Sequence, residues 1–411
     1  MSTRYNENWL TSYLKMTSQT EPASRFHLWT AITIIAAMLG RKCEIEFGPT
    51  ILHPNLYTVF VGPPGIRKSE AIKYGEELLQ PLRDQGIKGL ATAPDIVTRQ
   101  EFYQQIVDAE YTDYTPSGEP FVHSSLFVIA PELVIFLNEK DIVQRLGDLC
   151  AFYDGKAKFH YKPKQAAAAY AIKPSVWILG ATTPNWIQVS MPQLAVGGGM
   201  TSRTIFVVAT SKGKHISYTD MPKFDEELRN SLICDLAEIK KLIGKFTFDP
   251  QAVNYYREWY HKAYPNHGIK DQRLLSYVER LPSMMVKVAM VISAAQRDDM
   301  IVTQKDLRLS IKFFSDLHQL MPLAFGGQGL SNIGAQTNIV KEMIRDRTII
   351  SEAELLATLD MHISKFDLVR IMETLTTSRF CKCDVLHGEK CYVYTQKVIQ
   401  PKEDGTNETT S

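Results

Sequence analysis

Apolar and polar positions along this chain fall into blocks that predict strands and helices in turn. Trp9, Leu10, Tyr13, Leu14 and Met16 recur near helical spacing, and Pro22 to Trp29 opens a second helix that Gly40 closes. Its apolar stretch, Leu28 to Leu39, contains Thr30 and Thr33 and is too short to span a bilayer, so a buried helix is expected. A short apolar run, Leu56 to Val61, leads through glycines and prolines into a helix-like segment from Glu70 to Leu79. Thr98-Arg-Gln-Glu101 is a capping box for a helix reaching about Ala109. Tyr111 to Glu119 reads as a polar loop. Ser125 to Ala130 is continuously apolar, as a parallel strand covered on both faces must be. It ends in Pro131-Glu132, and a helical segment runs from Leu133 to Cys150. A third run, Ser175 to Ala181, ends in Thr182-Thr183-Pro184-Asn185. The turn Gly197 to Gly199 then leads through Thr201-Ser202-Arg203 to a fourth run, Ile205 to Ala209. Strands alternating with helices predict a wound α/β sheet.

From Phe224 the period becomes helical, with Leu228, Leu232, Leu236, Ile239 and Leu242 on one face. Asp249-Pro250 and Thr303 with Asp306 start further helices. Pro322 to Gly334 holds four glycines and reads as a linker. Beyond it, Ser351-x-x-Glu354 and Ser364-x-x-Asp367 each open a short helix, and Cys381–Val385 and Lys390–Tyr394 flank a turn. With a helix opening this last unit ahead of those two, three helices and a hairpin give the order of a winged helix. The expected organisation is a helical lead-in over 1–50, a core over 51–222, a helical region over 223–325, a last unit over 335–396 and a polar, disordered tail over 397–411.

Composition adds three things. Apolar residues make up 45% and charged residues 22% of the 411, as in an ordinary soluble protein. The six cysteines are too scattered for a disulfide framework, and the N-terminus lacks the features of a signal peptide, so a cytoplasmic, reducing setting without a membrane is expected. The formal net charge of +1 hides a strong asymmetry. The 65 residues between Asp154 and Asp220 carry no acid and eight basic residues. Such a block points to a polyanion partner; the plainer alternative is a sheet core with lysine-rich edges.

The chemistry centres on Gly62-Pro63-Pro64-Gly65-Ile66-Arg67-Lys68-Ser69. Strand, glycine loop, lysine, hydroxyl and helix form a phosphate-binding layout. Loop N–H groups and the helix N-terminus face phosphates, Lys68 neutralises charge, and Ser69 ligates Mg²⁺. Arg67 stands where the motif has its second glycine. ATP or GTP is the expected ligand. Hydrolysis needs further parts. Glu132 would activate water, or else be the first-turn acid of the next helix. Thr183 would sense the γ-phosphate, with Asn185 as rival; otherwise it begins a turn. Arg203 would reach a neighbouring subunit's nucleotide, or is a surface arginine. Arg280, expected to begin a helix of the helical region in Tyr277-Val-Glu-Arg280-Leu-Pro, would close from a lid, or is an exposed ion-pair partner. In the basic block, Lys156, Lys158, His160, Lys162 and Lys164, interleaved with Phe159 and Tyr161, suit phosphate contact and base stacking. Gln165 to Ala169 looks helical. Cys381, Cys383, His387 and Cys391 approach metal-ligand spacing, but packing of a hairpin is the favoured reading over zinc.

This order of parts, carried by Gly62–Ser69, Leu126–Leu133, Ile178–Pro184 and Gly199–Val207, resembles the AAA+ ATPases. It looks most like their helicase branch, the minichromosome-maintenance ATPases and the helicase-like replication proteins of phages and mobile elements. The resemblance covers roughly Trp29 to Tyr394 through short motifs. It implies an α/β AAA+ core, a helical lid and a C-terminal winged helix. It also implies ATP with Mg²⁺ and a homo-oligomeric ring, a hexamer, working on single-stranded or forked DNA with other replication proteins, in a bacterial or infected-host cytoplasm. Lys156 to Ala171 would be the hairpin that grips DNA in the ring's pore. Ser202-Arg203-Thr204 stands where the family has Ser-Arg-Phe, Thr183-Pro184 where it has Asn-Pro, and Pro131 where it has a metal-side acid. The function expected is an ATP-dependent DNA helicase. The alternatives are an initiator or helicase loader, and a nucleotide-binding scaffold without turnover.

Overall fold

The structure, a computed structural model, describes residues 4–87, 91–93, 98–137, 141–155, 158–161, 169–189, 199–217, 225–269, 274–325, 332–359, 365–386 and 388–395. It divides into two units, Met1–Gly326 and Gly327–Ser411.

In the first unit, α1 (Trp9–Thr17) and α2 (Ser24–Leu39) precede a hairpin of β1 (Cys43–Phe47) and β2 (Thr50–Leu52). Strand β3 (Tyr57–Val61) runs into the glycine loop and α3 (Lys68–Asp84). Next come β4 (Thr92–Ala93), α4 (Arg99–Asp108), β5 (Glu110–Tyr114) and β6 (Pro120–Ala130). Helices α5 (Leu133–Leu137) and α6 (Ile142–Tyr153) lead to a second hairpin, β7 (Lys158–Tyr161) with β8 (Ala169–Ile172). Strand β9 (Ser175–Thr182), α7 (Pro184–Val189) and β10 (Thr204–Val208) follow. The helical region then holds α8 (Glu226–Lys241), β11 (Gly244–Phe248), α9 (Pro250–Glu258), α10 (Leu275–Ala294), β12 (Ile301–Val302), α11 (Gln304–His318) and α12 (Met321–Ala324).

The central sheet has the order β10-β3-β9-β6-β4, with every pairing on that path parallel, and β5 adds antiparallel to the start of β6. The chain is therefore a mixed α/β protein. Strands β3, β9 and β10 are buried at every position, which requires a cover on both faces. The pleat shows what supplies it. Thr58 and Phe60 face α2, through the Thr33–Thr58 hydroxyl bond of 2.7 Å and the Phe26–Phe60 stack at 4.7 Å. Tyr57 points the other way, donating from its hydroxyl to the Leu149 carbonyl of α6 at 2.7 Å. Helix α2 is apolar nearly all round because it sits between the sheet and helices α1, α8 and α10. Among the described residues no helix is long and apolar enough to cross a membrane.

Helices α2 and α3 meet at Gly75. A Cβ there would lie inside van der Waals contact with Thr30 Cγ2 and Ile34 Cδ1. Gly75→Ala should therefore cost about 1–3 kcal/mol of stability, despite alanine's better helix propensity. A urea midpoint unchanged or raised would show that the helices can separate freely.

Four local expectations change. The polar stretch 111–119 is loop only over 115–119; Tyr111 to Tyr114 belong to β5, where Tyr111, Thr112 and Asp113 pair with His123, Val122 and Phe121. A polar network replaces an apolar signal there. His123 Nε2 lies 2.9 Å from Asp113, its Nδ1 2.8 Å from Ser125, and Lys42 Nζ reaches Asp113 at 3.2 Å. Second, the lead-in and the helical region contribute a separate four-stranded sheet, β12-β11-β1-β2. Third, α3 and α10 both run through a proline. Pro81 and Pro282 each free a carbonyl four residues back. Arg229 donates to the Glu77 carbonyl at 3.5 Å and the Tyr264 hydroxyl to the Val278 carbonyl at 3.0 Å. Arg280 thus lies inside α10 and does not begin it. Fourth, Ala169 belongs to strand β8, paired with Tyr161, where a helical segment is predicted; residues 165–168 lie outside the described residues.

The second unit holds α13 (Asn332–Arg347), β13 (Ile349–Ser351), α14 (Glu352–Leu359), α15 (Lys365–Thr377), β14 (Cys381–Leu386) and β15 (Glu389–Tyr394). Its antiparallel sheet has the order β13-β15-β14, and Val340, Ile344, Ile350, Leu355, Ile371 and Tyr392 form a core of its own. The tail, 396–411, lies outside the described residues.

Candidate functional site

The glycine loop leaves the C-terminal end of β3 between the ends of its two neighbours. Gly62 N donates to the Thr182 carbonyl of β9, and a Cβ on Gly62 would come within 2.5 Å of the Ala209 carbonyl beyond β10. Only glycine fits that slot. Gly65 and Arg67 both adopt the left-handed conformation, φ +83° and +65°. The motif's second glycine is useful for that geometry, and Arg67 adopts it at a cost of about 1–2 kcal/mol. Ile66 is buried and anchors the loop, whereas Pro63, Pro64, Gly65, Arg67 and Ser69 are exposed around its mouth. The side chain of Arg67, at the N-cap, does not cap α3, which leaves first-turn N–H groups at that mouth. Lys68 folds over the loop, with Nζ donating to the Gly62 carbonyl at 2.7 Å and the Pro63 carbonyl at 2.9 Å. Burial lowers its pKa and the nearby Glu132 carboxylate opposes that shift. The cradle offers N–H donors, the Lys68 ammonium and the exposed Ser69 hydroxyl, the kinds of group a phosphate chain would need.

Glu132 is exposed, two residues past the end of β6. The register carries it to the level of the loop, since Ala130 pairs with Gly180 while Val61 pairs with Thr182. One strand, β9, lies between β3 and β6. Loop and acid are therefore separated by two strand spacings, roughly 9.6 Å, which leaves room for a phosphoryl group and a water. Thr183 follows the end of that intervening strand. It heads α7, its Oγ1 accepting from Trp186 N at 3.3 Å, so its hydroxyl proton stays free to be donated. Asn185 is exposed one residue into α7. Lys68, Glu132 and Thr183 thus share one edge of the sheet.

Arg203 and Arg280 do not join them. Arg203 closes a 3₁₀ turn just before β10, whose first residue, Thr204, pairs with Tyr57 at the start of β3. A strand of five residues, about 16 Å, separates it from the loop of its own chain. Its guanidinium is buried and held by Asp154: Nε donates to Oδ1 at 2.9 Å and Nη2 to Oδ2, while Nη1 donates to the Gly199 carbonyl at 2.7 Å. Arg280 reaches the same carboxylate, Nη1 to Oδ1 at 3.4 Å. Arg41 donates to the next carbonyl, Gly155, at 3.0 Å. Asp154 belongs to no motif, yet it is the last acid before the acid-free block.

That block begins with the β7–β8 hairpin. Phe159 packs inward against Phe152 and Tyr103, at 4.9 and 5.0 Å between ring centroids. Alternation turns Lys158 and His160 outward, and both are exposed. His160 pairs across the hairpin with Tyr170, which is 52% exposed, their rings 6.2 Å apart. Tyr170 carries no strand signal in the sequence, because the alanines around it mask the alternation. Lys156, Lys162 and Lys164 lie outside the described residues. In the second unit Cys381 and Cys391 are buried and Cys383 is exposed. No group of three or more His, Cys, Asp or Glu residues able to hold a metal occurs among the described residues, and His387 lies outside them.

No known family matches this chain, and no curated protein matches it. What the fold and this edge define is a parallel-sheet α/β protein with a glycine loop, a lysine and an acid converging at one end of its strands.

Proposed function

We propose that the chain is an ATP-driven motor on DNA, of the AAA+ type, working as a ring in which each subunit completes its neighbour's site. The observation that carries this is the split between the two sheet edges. Loop, acid and threonine share one edge, and two arginines sit on one carboxylate at the other. Arginines so placed have no access to their own nucleotide and suit one bound by an adjacent copy.

In this reading the loop N–H groups and Lys68 hold the phosphates of ATP, and Ser69 would hold Mg²⁺, which would supply neutralisation of the phosphate charge. Glu132 accepts a proton from the attacking water, and Thr183 donates to the γ-phosphate. Arg203 and Arg280 of the next subunit stabilise the charge that develops. Lys158, His160 and Tyr170 meet single-stranded DNA by phosphate contact and stacking. The second unit reads as a winged helix. Its α15 exposes Phe366 and Val369, which suits a protein contact better than a DNA groove. Pro131 beside Glu132 favours slow turnover and is what supports the scaffold alternative.

The test is ATP hydrolysis by purified full-length protein, with and without single-stranded DNA, followed by strand displacement on a forked duplex. Hydrolysis stimulated by DNA, together with displacement, is expected. Stimulation without displacement would move the assignment to a loader, and ATP binding without DNA-stimulated turnover to a scaffold. Tyr170→Ala should weaken single-strand binding by about 1–3 kcal/mol, the usual worth of one stacked base. It should leave DNA-free ATPase intact. Equal affinity for the variant and the parent would remove Tyr170 from the DNA path.

A further inference from the structure

We infer that Glu21 is a positioning residue for the glycine loop, acting through Arg67, so that the lead-in braces the loop in its phosphate-ready shape. This deepens the phosphate-loop reading and rests on it.

Arg67 is the one loop residue whose backbone asks for glycine and whose side chain is charged. That side chain does not point idly into solvent. Its Nε donates to Glu21 Oε2 at 2.6 Å and lies 3.6 Å from Glu70. Glu21 is 5% exposed and belongs to the turn before α2. Its carboxylate also accepts from Lys212 Nζ at 2.9 and 3.0 Å and from Ile216 N at 3.4 Å. Its main-chain carbonyl accepts from Gly213 N at 3.0 Å, and a Cβ on Gly213 would come within 2.8 Å of the Pro22 carbonyl. One buried carboxylate therefore ties together the lead-in, the loop and the segment that follows β10. That same segment starts at Ala209, whose carbonyl walls the slot for Gly62.

The physical argument concerns the left-handed backbone. A non-glycine residue leaves that conformation readily unless something holds it. If Arg67 relaxed, the N–H groups of Gly65 to Lys68 would turn away from the mouth. The ion pair to a fixed, buried acid supplies the hold that glycine would not need. Hydrogen bonds from Lys212 and Arg67 keep the Glu21 carboxyl at about 2, so the brace stays charged throughout the range in which nucleotide binding is measured.

The experiment is a double-mutant cycle on full-length protein with two readouts: hydrogen exchange of amides 65–69 without nucleotide, and affinity for a non-hydrolysable ATP analogue with Mg²⁺. Glu21→Gln should speed loop exchange and lower affinity, each by about tenfold. In an Arg67→Gly background the same change should alter either readout less than about twofold, because glycine adopts φ +65° without strain and has no side chain for Glu21 to hold. Arg67→Met, uncharged but not glycine, should reproduce the loosened loop, and this keeps the test decisive if Glu21→Gln folds poorly. Equal losses from Glu21→Gln in both backgrounds, or a tight loop in Arg67→Met, would overturn the brace. A loop that loosens as expected in a protein that binds no nucleotide would uphold the brace and refute the phosphate reading instead.

Discussion

Replacing Lys68 by alanine is expected to lower affinity for ATP by at least about 100-fold, near 2.7 kcal/mol, with little change in fold stability. The two halves of this prediction have separate causes. In the nucleotide-free chain the ammonium donates to the Gly62 and Pro63 carbonyls. Pro63 is exposed, so water can replace the bond to its carbonyl, and alanine is a good helix residue in the first turn of α3. With a triphosphate bound, the same ammonium would face several negative oxygens at a partly desolvated site, where a charge-assisted bond is about twice as strong as a neutral one. Titration calorimetry and thermal melts of the same preparations check both halves. Unchanged affinity would refute the phosphate assignment; lost affinity with a collapsed melting temperature would point to a structural lysine. The lysine also sets a pH dependence. Burial lowers the pKa of the free ammonium, so part of the population loses its proton at a lower pH than an exposed lysine would. Phosphate favours the charged form. ATP affinity should therefore fall as pH rises through that lowered pKa, and binding on the alkaline side should take up protons.

The sheet was legible in the sequence wherever burial on both faces left an unbroken apolar run, as in Ser175–Ala181 and Ile205–Ala209. It was not legible where polar residues satisfy one another. Asp113, His123 and Lys42 support a strand pair that reads as a loop because its stabilisation is hydrogen bonding between distant segments. Pro81 and Pro282 mislead for a related reason, since the bonds that rescue their helices come from Arg229 and Tyr264 elsewhere in the chain. At the candidate site the backbone-bearing parts were readable: the glycine loop has a spacing, and Glu132 and Thr183 each follow an apolar run. The parts that work by pairing were not. Glu21, Lys212 and Asp154 carry no motif, and their relevance lies in which distant side chain each one holds. Arg67 looked like a defect in a motif; beside Glu21 it has a partner that accounts for it.

The second large effect is expected from Arg203→Ala. Hydrolysis should fall by about 10³-fold or more while ATP binding stays within a few-fold of the parent, as for a trans arginine acting on the transition state alone. The alternative is that Arg203 merely ties α6 to the start of β10 through Asp154. Subunit mixing separates the two. An Arg203→Ala subunit keeps an intact loop and Glu132, and a Glu132→Ala subunit keeps an intact arginine. If each site is built from two copies, mixing equal amounts should make about a quarter of interfaces complete and restore activity that neither variant has alone. A structural tie cannot be supplied by a neighbour, so mixed rings would then stay inactive. Asp154 sharpens the distinction. Its carboxylate is half exposed, and Arg280 remains beside it after Arg203 is lost, so truncating Arg203 leaves no isolated buried charge and should spare the fold. Asp154→Asn makes the opposite change, weakening the hold on both arginines while leaving them in place. If they serve a neighbour, it should retain hydrolysis where Arg203→Ala loses it. Equal loss in the two variants would assign the arginine to its own chain.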